Sequence, residues 1–279
     1  MRDIELIDCG DGRRLERFGK LVADRPAPGA IGPRRDPSAW RAPDLVYERA
    51  GSSAGRWDRG GSTEPWQVTA DTLRFELRPA AGGQLGLFPE HVTTWSWLEH
   101  AVRGAAVRLE REPEVLSLFA YTGGATLAAA RAGARVAHVD ASRPAVAWAR
   151  RNAELSGLAE RPVRWLIDDA RMFVRRERRR GRVYDGLIVD PPTYGHGSGS
   201  WRIEDDLVPL LEDLSALVGP RPSFVLLTAH TPGFDGDGLT ALVREHIGVG
   251  AAAAPLELNA RSGALLQLGA SARWTRDRG

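Results

Sequence analysis

One stretch constrains the fold of this chain more than any other: residues 115–140, which read VLSLFAYTGGATLAAARAGARVAHVD. A run of strand-forming residues meets a turn with two glycines, Gly123 and Gly124, and an alanine-rich run that predicts a closely packed helix follows. A second short apolar strand then ends on Asp140. The stretch therefore predicts a βαβ unit with a carboxylate at the end of its second strand.

The turn and the carboxylate together predict a ligand. In an open parallel sheet, ligands bind outside the carboxyl ends of the strands, where glycines allow close approach and Asp140 can accept hydrogen bonds from ribose hydroxyls. The turn YTGGATL has neither the GxGxxG of a dinucleotide site nor the GxxxxGK[ST] of a P-loop. We therefore expect an adenosine-type ligand without phosphates; the alternative is an ordinary βαβ unit in which these residues only turn and cap the chain.

Two more acidic positions follow predicted strands. The strand 163–167 is followed by Asp168 and Asp169, and the strand 184–189 is followed by DPPTY, which begins at Asp190. Two prolines cannot continue a strand ladder, so they hold the Asp190 carboxylate where the strand ends. Asp169 has a simpler alternative role as the N-cap of the next helix.

These signals, in this order, resemble the class I S-adenosylmethionine-dependent methyltransferases. FAYTGG with VDAS resembles motif I and the acidic position after it, and DPPTY is similar to the DPPTF or DPPSF form of the large-subunit ribosomal RNA methyltransferases. GLFPEH is similar to a segment that precedes motif I in that family. The resemblance implies an α/β, Rossmann-like class I methyltransferase fold: a seven-stranded sheet with an antiparallel terminal strand, preceded by a small, mainly β N-terminal domain.

The resemblance also implies the cofactor and the site. The cofactor is S-adenosylmethionine, with S-adenosylhomocysteine as product, and no metal is expected. Asp140 would hold the ribose, Asp169 and the Ala170 backbone the adenine, and Asp190 and Tyr194 the acceptor. The implied catalytic residues are Asp190, Pro191, Pro192 and Tyr194. The implied cofactor-binding residues are Phe88, Glu90, Phe119, Tyr121, Thr122, Gly123, Gly124, Asp140, Ala141, Ser142, Asp169, Ala170 and Asp190.

Three histidines stay open between substrate contact and simple exposure or packing. His91 stands where relatives often carry Gln, His196 lies in a glycine-rich segment expected to be an active-site loop, and His230 follows the fifth strand of the sheet. Phe88 and Glu90 have a comparable alternative as a linker packed into the core.

The predicted domains are a β-rich region over residues 1–82, a connecting segment with a helix over 83–110, and the methyltransferase domain over 111–279. In the first region three short strands (4–7, 45–49 and 72–77) are expected, and Trp40, Trp57 and Trp66 are interpreted as core residues more readily than as base-stacking platforms. An arginine-rich run over 171–182 is interpreted as a solvated helix face, with an RNA contact as the alternative.

Composition narrows the kinds of site and substrate that this chain is expected to have. Cys9 is the single cysteine, which excludes an internal disulfide and a multi-cysteine metal site, and leaves no thiolate for methylation of a cytosine at carbon 5. The formal net charge is only +2, which weakens a nucleic-acid substrate without excluding it. With no apolar run near about eighteen residues and no signal-peptide pattern, we expect a cytoplasmic protein without a membrane partner.

The sequence therefore predicts an S-adenosylmethionine-dependent methyltransferase that modifies a nucleobase nitrogen in RNA, of the ribosomal RNA type. The alternatives are a methyltransferase of a small molecule or a protein side chain, and a catalytically silent S-adenosylmethionine-binding interaction protein.

Overall fold

The computed structural model describes residues 3–49, 55–59, 64–196, 200–218 and 222–276. The chain divides into two compact units: an N-terminal unit of Met1–Val92 with Glu257–Leu268, and a second unit of Thr93–Leu256 with Gly269–Gly279. Residues near the C-terminus thus belong to the N-terminal unit. The sequence-based boundaries after residues 82 and 110 stay a proposal about where the domains divide.

The N-terminal unit is built mainly from β-strands. In chain order they are β1 (Ile4–Gly10), β2 (Arg13–Phe18), β3 (Leu21–Pro26), β4 (Leu45–Glu48), β5 (Arg56–Arg59), β6 (Trp66–Ala70) and β7 (Leu73–Leu77). The first five form one sheet in which β3 and β4 pair in parallel and the other neighbours antiparallel, and β6 and β7 form a separate hairpin. The mainly β character is confirmed, and the three expected strands are present as β1, β4 and β7, but four further strands in the described residues were not predicted.

Alternation of apolar and polar residues explains these strands. In β7, Leu73, Phe75 and Leu77 are buried while Arg74 is exposed, which is the period of a strand with one face in the core. Trp40 is buried in a small cluster with Ile7 and Leu15. The indoles donate hydrogen bonds to buried or backbone oxygens, which supports the core interpretation of the three tryptophans.

The second unit alternates helices and strands. Its helices are α1 (Val92–Leu109), α2 (Gly124–Arg131), α3 (Arg143–Leu155), α4 (Ala170–Arg179), α5 (Ile203–Val218) and α6 (Gly236–Leu242). Its strands are β8 (Glu114–Leu118), β9 (Arg135–Asp140), β10 (Val163–Ile167), β11 (Gly186–Val189), β12 (Tyr194–His196), β13 (Ser200–Arg202), β14 (Phe224–Ala229), β15 (Ala252–Asn259) and β16 (Leu265–Thr275). α1 and the last two strands contain residues of both units.

Seven of these strands form one sheet in the order β10-β9-β8-β11-β14-β16-β15. The first five run parallel to one another, and β16 pairs antiparallel with β14. Helices connect the parallel strands as crossover units, so both faces of the sheet are covered and its strands are nearly all apolar. The predicted seven-stranded α/β fold with an antiparallel terminal strand is confirmed.

One local expectation was wrong. The segment after DPPTY, expected to be a loop, begins and ends as the paired strands β12 and β13, while residues 197–199 lie outside the described residues. The helix that follows, α5, is sixteen residues long, and its leucine-rich stripe packs into the core. Among the described residues, no helix is long and apolar enough to cross a membrane.

Candidate active site

The strand register brings the predicted acids to one edge of the sheet. Leu118 pairs with Val139 on one side and with Val189 on the other, so the next residues, Phe119, Asp140 and Asp190, follow at the same level. All three strands run parallel and end at this edge. Two strand spacings separate Asp140 from Asp190, which corresponds to roughly 10 Å between their backbones.

The turn between β8 and α2 has an unusual backbone. Phe119 and Tyr121, both bulky, adopt positive φ angles of 54° and 46°, and Gly123 follows at 91°. Left-handed conformations cost L-residues roughly 1–2 kcal/mol each. Such strain persists where the surroundings fix the backbone, and it is common at binding sites.

The Asp140 carboxylate fixes this turn. Its Oδ2 accepts a hydrogen bond from the Tyr121 backbone N–H at 2.8 Å, and its Oδ1 accepts one from the Ser142 N–H at 2.8 Å. Burial raises the pKa of Asp140, and the two N–H donors oppose that rise. Each oxygen keeps the capacity to accept a second bond, which is what a pair of ribose hydroxyls requires.

The glycine pair lies close to neighbouring elements. A Cβ on Gly124 would come within 2.7 Å of the Trp95 ring, and one on Gly123 within 3.1 Å of the Ala149 Cβ. The buried Asn152 side chain holds the turn from α3 by donating to the Thr122 carbonyl oxygen at 3.0 Å. The absence of side chains at the two glycines therefore lets the turn sit against α1 and α3.

Asp169 is the N-cap of α4. Its Oδ1 accepts from the backbone N–H groups of Arg171 and Met172 at 3.0 and 3.1 Å, and its Oδ2 lies 3.5 Å from the Arg171 guanidinium. The simpler role weighed for Asp169 is therefore present in the structure. Asp168, the fallback for the adenine, forms an ion pair with Arg176. The Asp168 backbone N–H donates to the Asp140 carbonyl at 3.0 Å, which joins the two strand ends.

Asp190 lies in a polar group at the ends of β11 and β14. The Thr228 hydroxyl donates to Asp190 Oδ1, and the His230 Nε2 lies 3.7 Å from the same oxygen. The Asp190 side chain keeps 31% of its surface exposed. A carboxylate oriented by one hydroxyl and still open to solvent can receive a hydrogen bond from a ligand.

After Asp190, Pro192 and Thr193 are held by hydrogen bonds, whereas the Tyr194 ring is exposed. Trp201 donates from its indole N–H to the Pro192 carbonyl at 2.7 Å and packs on Phe119 with ring centroids 4.7 Å apart. Thr193 and Thr231 share a hydrogen bond of 2.7 Å. Tyr194 is 62% exposed, which suits a ring that stacks on a planar substrate. The His196 side chain lies outside what the structure describes.

The remaining predicted residues belong to the N-terminal unit. Glu90 is buried there, and the Phe88 and His91 rings lie 6.2 Å apart, edge to face. Pro89, Glu90 and His91 form a single 3₁₀ turn before α1. Their assignment to the methionine end of the cofactor stays a prediction.

The residues at the sheet edge fit a nucleoside cofactor. Asp140 offers acceptor capacity next to a glycine turn, Ala141 and Ser142 follow it, and Asp168, Asp169 and Ala170 begin the neighbouring connection. The described turn contains no basic side chain for a phosphate. A phosphate-free adenosine ligand therefore suits it better than a dinucleotide.

Comparison with known proteins decides the family. The model of the S-adenosylmethionine-dependent methyltransferase family matches residues 34–245, which is more than half of the chain. The chain belongs to this family. The enzyme is thus an S-adenosylmethionine-dependent methyltransferase, and its cofactor is S-adenosylmethionine, as predicted.

The chain is also similar to individual methyltransferases. A crystal structure of the S-adenosylmethionine-dependent methyltransferase from Agrobacterium tumefaciens is 34% identical, with a TM-score of 0.90 over 99% of this chain and 91% of that one. Ribosomal RNA large subunit methyltransferase K/L of Methylococcus capsulatus is 34% identical over 146 residues, which is 50% of this chain but only 20% of the relative. The Pyrococcus abyssi tRNA (uracil-54, C5)-methyltransferase with S-adenosylhomocysteine shares the fold at 16% identity and a TM-score of 0.52, over 96% and 62% of the chains.

Sequence reasoning missed three residues that shape the methyltransferase site. Thr228 is the one polar residue in the buried strand FVLLTA, and that signal could have identified it. Asn152 is a fully buried polar residue on the inner face of α3, and Trp201 is the buried central residue of the short strand β13. Their partners are distant in sequence, so only the fold reveals their roles.

The arginine-rich run of the methyltransferase is largely paired with acids. Arg175 and Arg178 both contact Asp213, while Arg176 contacts Asp168. Further ion pairs join Arg171 to Asp206 and both Arg180 and Arg182 to Glu177. The run therefore fits a charge-balanced surface better than a strip that follows phosphates.

Proposed function

We propose that this methyltransferase modifies a nucleobase nitrogen in RNA, in the manner of ribosomal RNA methyltransferases. One observation carries the proposal: Asp190, held by Thr228, lies one strand away from the cofactor turn, and the exposed Tyr194 ring follows it in DPPTY. A carboxylate that accepts from an amine beside an aromatic ring that stacks on a plane suits a nucleobase. The similarity to ribosomal RNA large subunit methyltransferase K/L supports RNA as the substrate class.

The bound cofactor supplies an electrophilic methyl group on a sulfonium. By the proposal, Asp140 binds the ribose, Asp169 and the Ala170 backbone bind the adenine, and Phe88 and Glu90 face the methionine end. The turn residues Phe119 to Gly124, with Ala141 and Ser142, shape the rest of the cofactor site.

The acceptor is positioned by the residues of the DPPTY segment. Asp190 and the Pro191–Pro192 backbone hold the base edge while Tyr194 stacks on its face, so that the nitrogen lone pair points at the methyl carbon. Alignment of this kind can remove on the order of 7 kcal/mol or more from a barrier. The nitrogen forms the new bond to carbon as the carbon–sulfur bond breaks, and sulfur keeps the electron pair.

The chemistry of the edge favours nitrogen over carbon 5 of a pyrimidine. Addition to a pyrimidine ring requires a nucleophile such as a thiolate. The chain has one cysteine, Cys9, and it is buried in the N-terminal unit, whereas β14 is followed by His230 and Thr231. A ring nitrogen with a lone pair needs no base, and for an exocyclic amine Asp190 would partly neutralise the charge until the proton leaves.

The decisive experiment is a methylation map of ribosomal RNA from a strain that lacks the gene. We expect one methyl group to be missing, and we expect the purified chain with S-adenosylmethionine to restore it on that RNA. Mass mapping of nuclease fragments measures both. An unchanged map, together with intact binding of S-adenosylhomocysteine, would exclude this RNA and favour a small molecule or a protein side chain. We also propose that the protein acts in the cytoplasm.

A further inference from the structure

A cavity in the N-terminal unit is lined by three arginines. It has a volume of about 150 Å³, roughly five water volumes. Arg14 lies on β2, Arg25 on β3 and Arg49 just after β4, so the three guanidinium groups come from three separate segments. Tyr47, Gly83 and Phe88 belong to the rest of the wall.

Arg25, the most buried of the three arginines, is already fixed in place. Arg25 is 2% exposed and donates twice to the Glu16 carboxylate, at 2.9 and 2.5 Å, and once to the Gly83 carbonyl at 3.2 Å. Glu16 itself does not line the cavity. The cavity wall is therefore preorganised, which lowers the entropy cost of binding a ligand.

Arg14 has donor capacity that the protein does not use. It is 9% exposed and its Nε lies 3.4 Å from Glu16 Oε2, yet its Nε and Nη1 make no hydrogen bond to any of the described residues. Both nitrogens are closed to solvent, so Arg14 contributes to the cavity through its positive charge and not through these two donors.

The backbone on the other side of the cavity is rigid. The Tyr47 hydroxyl donates to the Ala81 carbonyl at 2.7 Å and accepts from the Gly55 N–H at 2.9 Å. Gly83 has a φ of 84°, and a Cβ there would come within 2.8 Å of the Tyr47 ring. The glycine loop thus packs directly against Tyr47 and keeps the cavity open on its arginine side.

The charged side chains that line the cavity are all arginines. Glu16 and Glu90 interact with Arg25 from outside the lining. Burial, followed by repulsion from Arg14, lowers the pKa of Arg25, which is the expected result of crowding cations in a poorly solvated place. An oxyanion in the cavity would therefore meet cationic side chains and no acidic one among the lining residues.

We propose that this cavity binds one phosphodiester group of the RNA substrate. The inference rests on the proposed function, since an RNA strand supplies the ligand. A phosphodiester carries one negative charge and several acceptor oxygens, and guanidinium groups are the preferred partners of phosphate oxygens. The contact would orient the substrate without reading its sequence.

The test compares arginine variants of the full chain. Arg49→Ala removes an exposed lining residue and should leave the fold intact, Arg14→Gln removes a buried positive charge, and Arg41→Ala is the control, an exposed arginine of the same unit outside the cavity. The probe is a labelled single-stranded fragment of ribosomal RNA, titrated at several salt concentrations. We expect Arg49→Ala to bind about tenfold more weakly. Loss of the phosphate contact should reduce the salt slope by about 0.7, with Arg41→Ala unchanged.

Two further measurements identify the source of the oxyanion. Affinity for S-adenosylhomocysteine should be the same in all variants, and inorganic phosphate should compete with RNA only weakly. If cofactor affinity falls while RNA affinity holds, the cavity serves the cofactor carboxylate and the proposal is wrong. The same conclusion follows for a free phosphate site if inorganic phosphate shifts the melting temperature of the wild type but RNA binding is insensitive to Arg49→Ala.

The proposal and the proposed function can fail separately. If the wild type methylates RNA and both cavity variants bind RNA with the affinity and salt slope of Arg41→Ala, only the cavity proposal is wrong. If the wild type neither binds nor methylates RNA, both are wrong. A melting temperature for Arg14→Gln tells a folding defect from a binding defect, and Arg49→Ala decides the question if Arg14→Gln does not fold.

Discussion

The carboxylates of the two units differ in how completely the protein encloses them. In the N-terminal unit Asp8 is 0% and Glu16 1% exposed, and both are held by several donors from the same unit. At the sheet edge of the methyltransferase unit, Asp140 and Asp190 are half-buried, and each lies where a parallel strand ends.

This difference predicts which acids contribute to stability and which contribute to function. A carboxylate that is fully enclosed by the protein is closed to a ligand, so its removal should cost folding free energy. A carboxylate held by one or two donors and open on the other side is oriented but still able to accept. We therefore expect the edge acids to affect activity with little effect on stability, and the enclosed acids to do the reverse.

The largest effect is expected from Asp190→Ala. Turnover should fall about a hundredfold or more, because the acceptor loses the group that aligns it. Binding of S-adenosylhomocysteine, measured by calorimetry, should change much less than turnover, since the ribose contact is proposed for Asp140 and the main proposed role of Asp190 is to position the acceptor. The Thr228 hydroxyl also lies 3.4 Å from the Val189 carbonyl, so it keeps an acceptor and the fold should persist.

Asp140→Ala is the counterpart on the neighbouring strand. It should weaken cofactor binding first, because it removes the proposed ribose acceptor and the bond to the Tyr121 N–H that holds the turn. Equal losses of binding in both variants would contradict the assignment of separate roles to the two acids.

The next largest effect is expected from Glu16→Gln in the N-terminal unit. Loss of the charge leaves Arg25 buried without its main counter-ion, and breaking a buried pair in this way costs about 3 kcal/mol or more of unfolding free energy. Glu5→Gln is the matched control, because Glu5 on β1 forms partly exposed ion pairs with Arg17 and Arg261 and should cost less than about 1 kcal/mol. Urea denaturation measures both. A similar cost for the two variants would mean that burial does not distinguish them.

The sequence predicted the methyltransferase unit well because its signals are local. Residues 115–140 contain a strand, a glycine turn, a helix and a second strand in order, and the next two parallel strands, β10 and β11, are followed by acids at Asp168 and Asp190. Parallel strands must share an edge, so the ends of β8, β9 and β11 could be brought together without knowing the register. The fold class followed from the same pattern.

The N-terminal unit was predicted less completely because its order depends on long-range pairing. Its sheet includes a parallel contact between β3 and β4 and packs against residues 257–268, which are far away in sequence. Arg14, Glu16 and Arg25 look like ordinary strand charges until the fold buries them. For the same reason Thr228 could not be assigned to Asp190 from the sequence.

A smaller effect is expected from Gly123→Ala, which tests whether the cofactor turn tolerates a side chain. Alanine at a φ of 91° is strained by about 1–2 kcal/mol, and its Cβ would press on Ala149 at 3.1 Å. Gly157→Ala is the control, since it has a φ of 69° but nothing within 4 Å of the added carbon. Both should lower stability, measured by denaturation, but only Gly123→Ala should also weaken binding of S-adenosylhomocysteine. Unchanged cofactor affinity in Gly123→Ala would remove the turn from the binding site.

The smallest effect is expected in the pH dependence of the N-terminal unit, and it concerns Asp8. Burial raises the pKa of this carboxyl, but hydrogen bonds from Ser262, Trp40 and the Asp36 backbone outweigh it, so the pKa lies below its usual value near 3.9. An acid with a lowered pKa binds fewer protons when folded than when unfolded. Its stabilisation is complete above about pH 5 and declines as the pH falls through the folded pKa. The difference in unfolding free energy between the wild type and Asp8→Asn should therefore be constant near neutral pH and shrink below about pH 4.

Ser262→Ala sharpens the test, because loss of one donor should raise the Asp8 pKa and move this decline to higher pH. A difference that stays constant down to pH values well below the usual carboxyl range would show that Asp8 stabilises the unit through its shape alone, and the contrast between enclosed and edge acids would then lose its electrostatic basis.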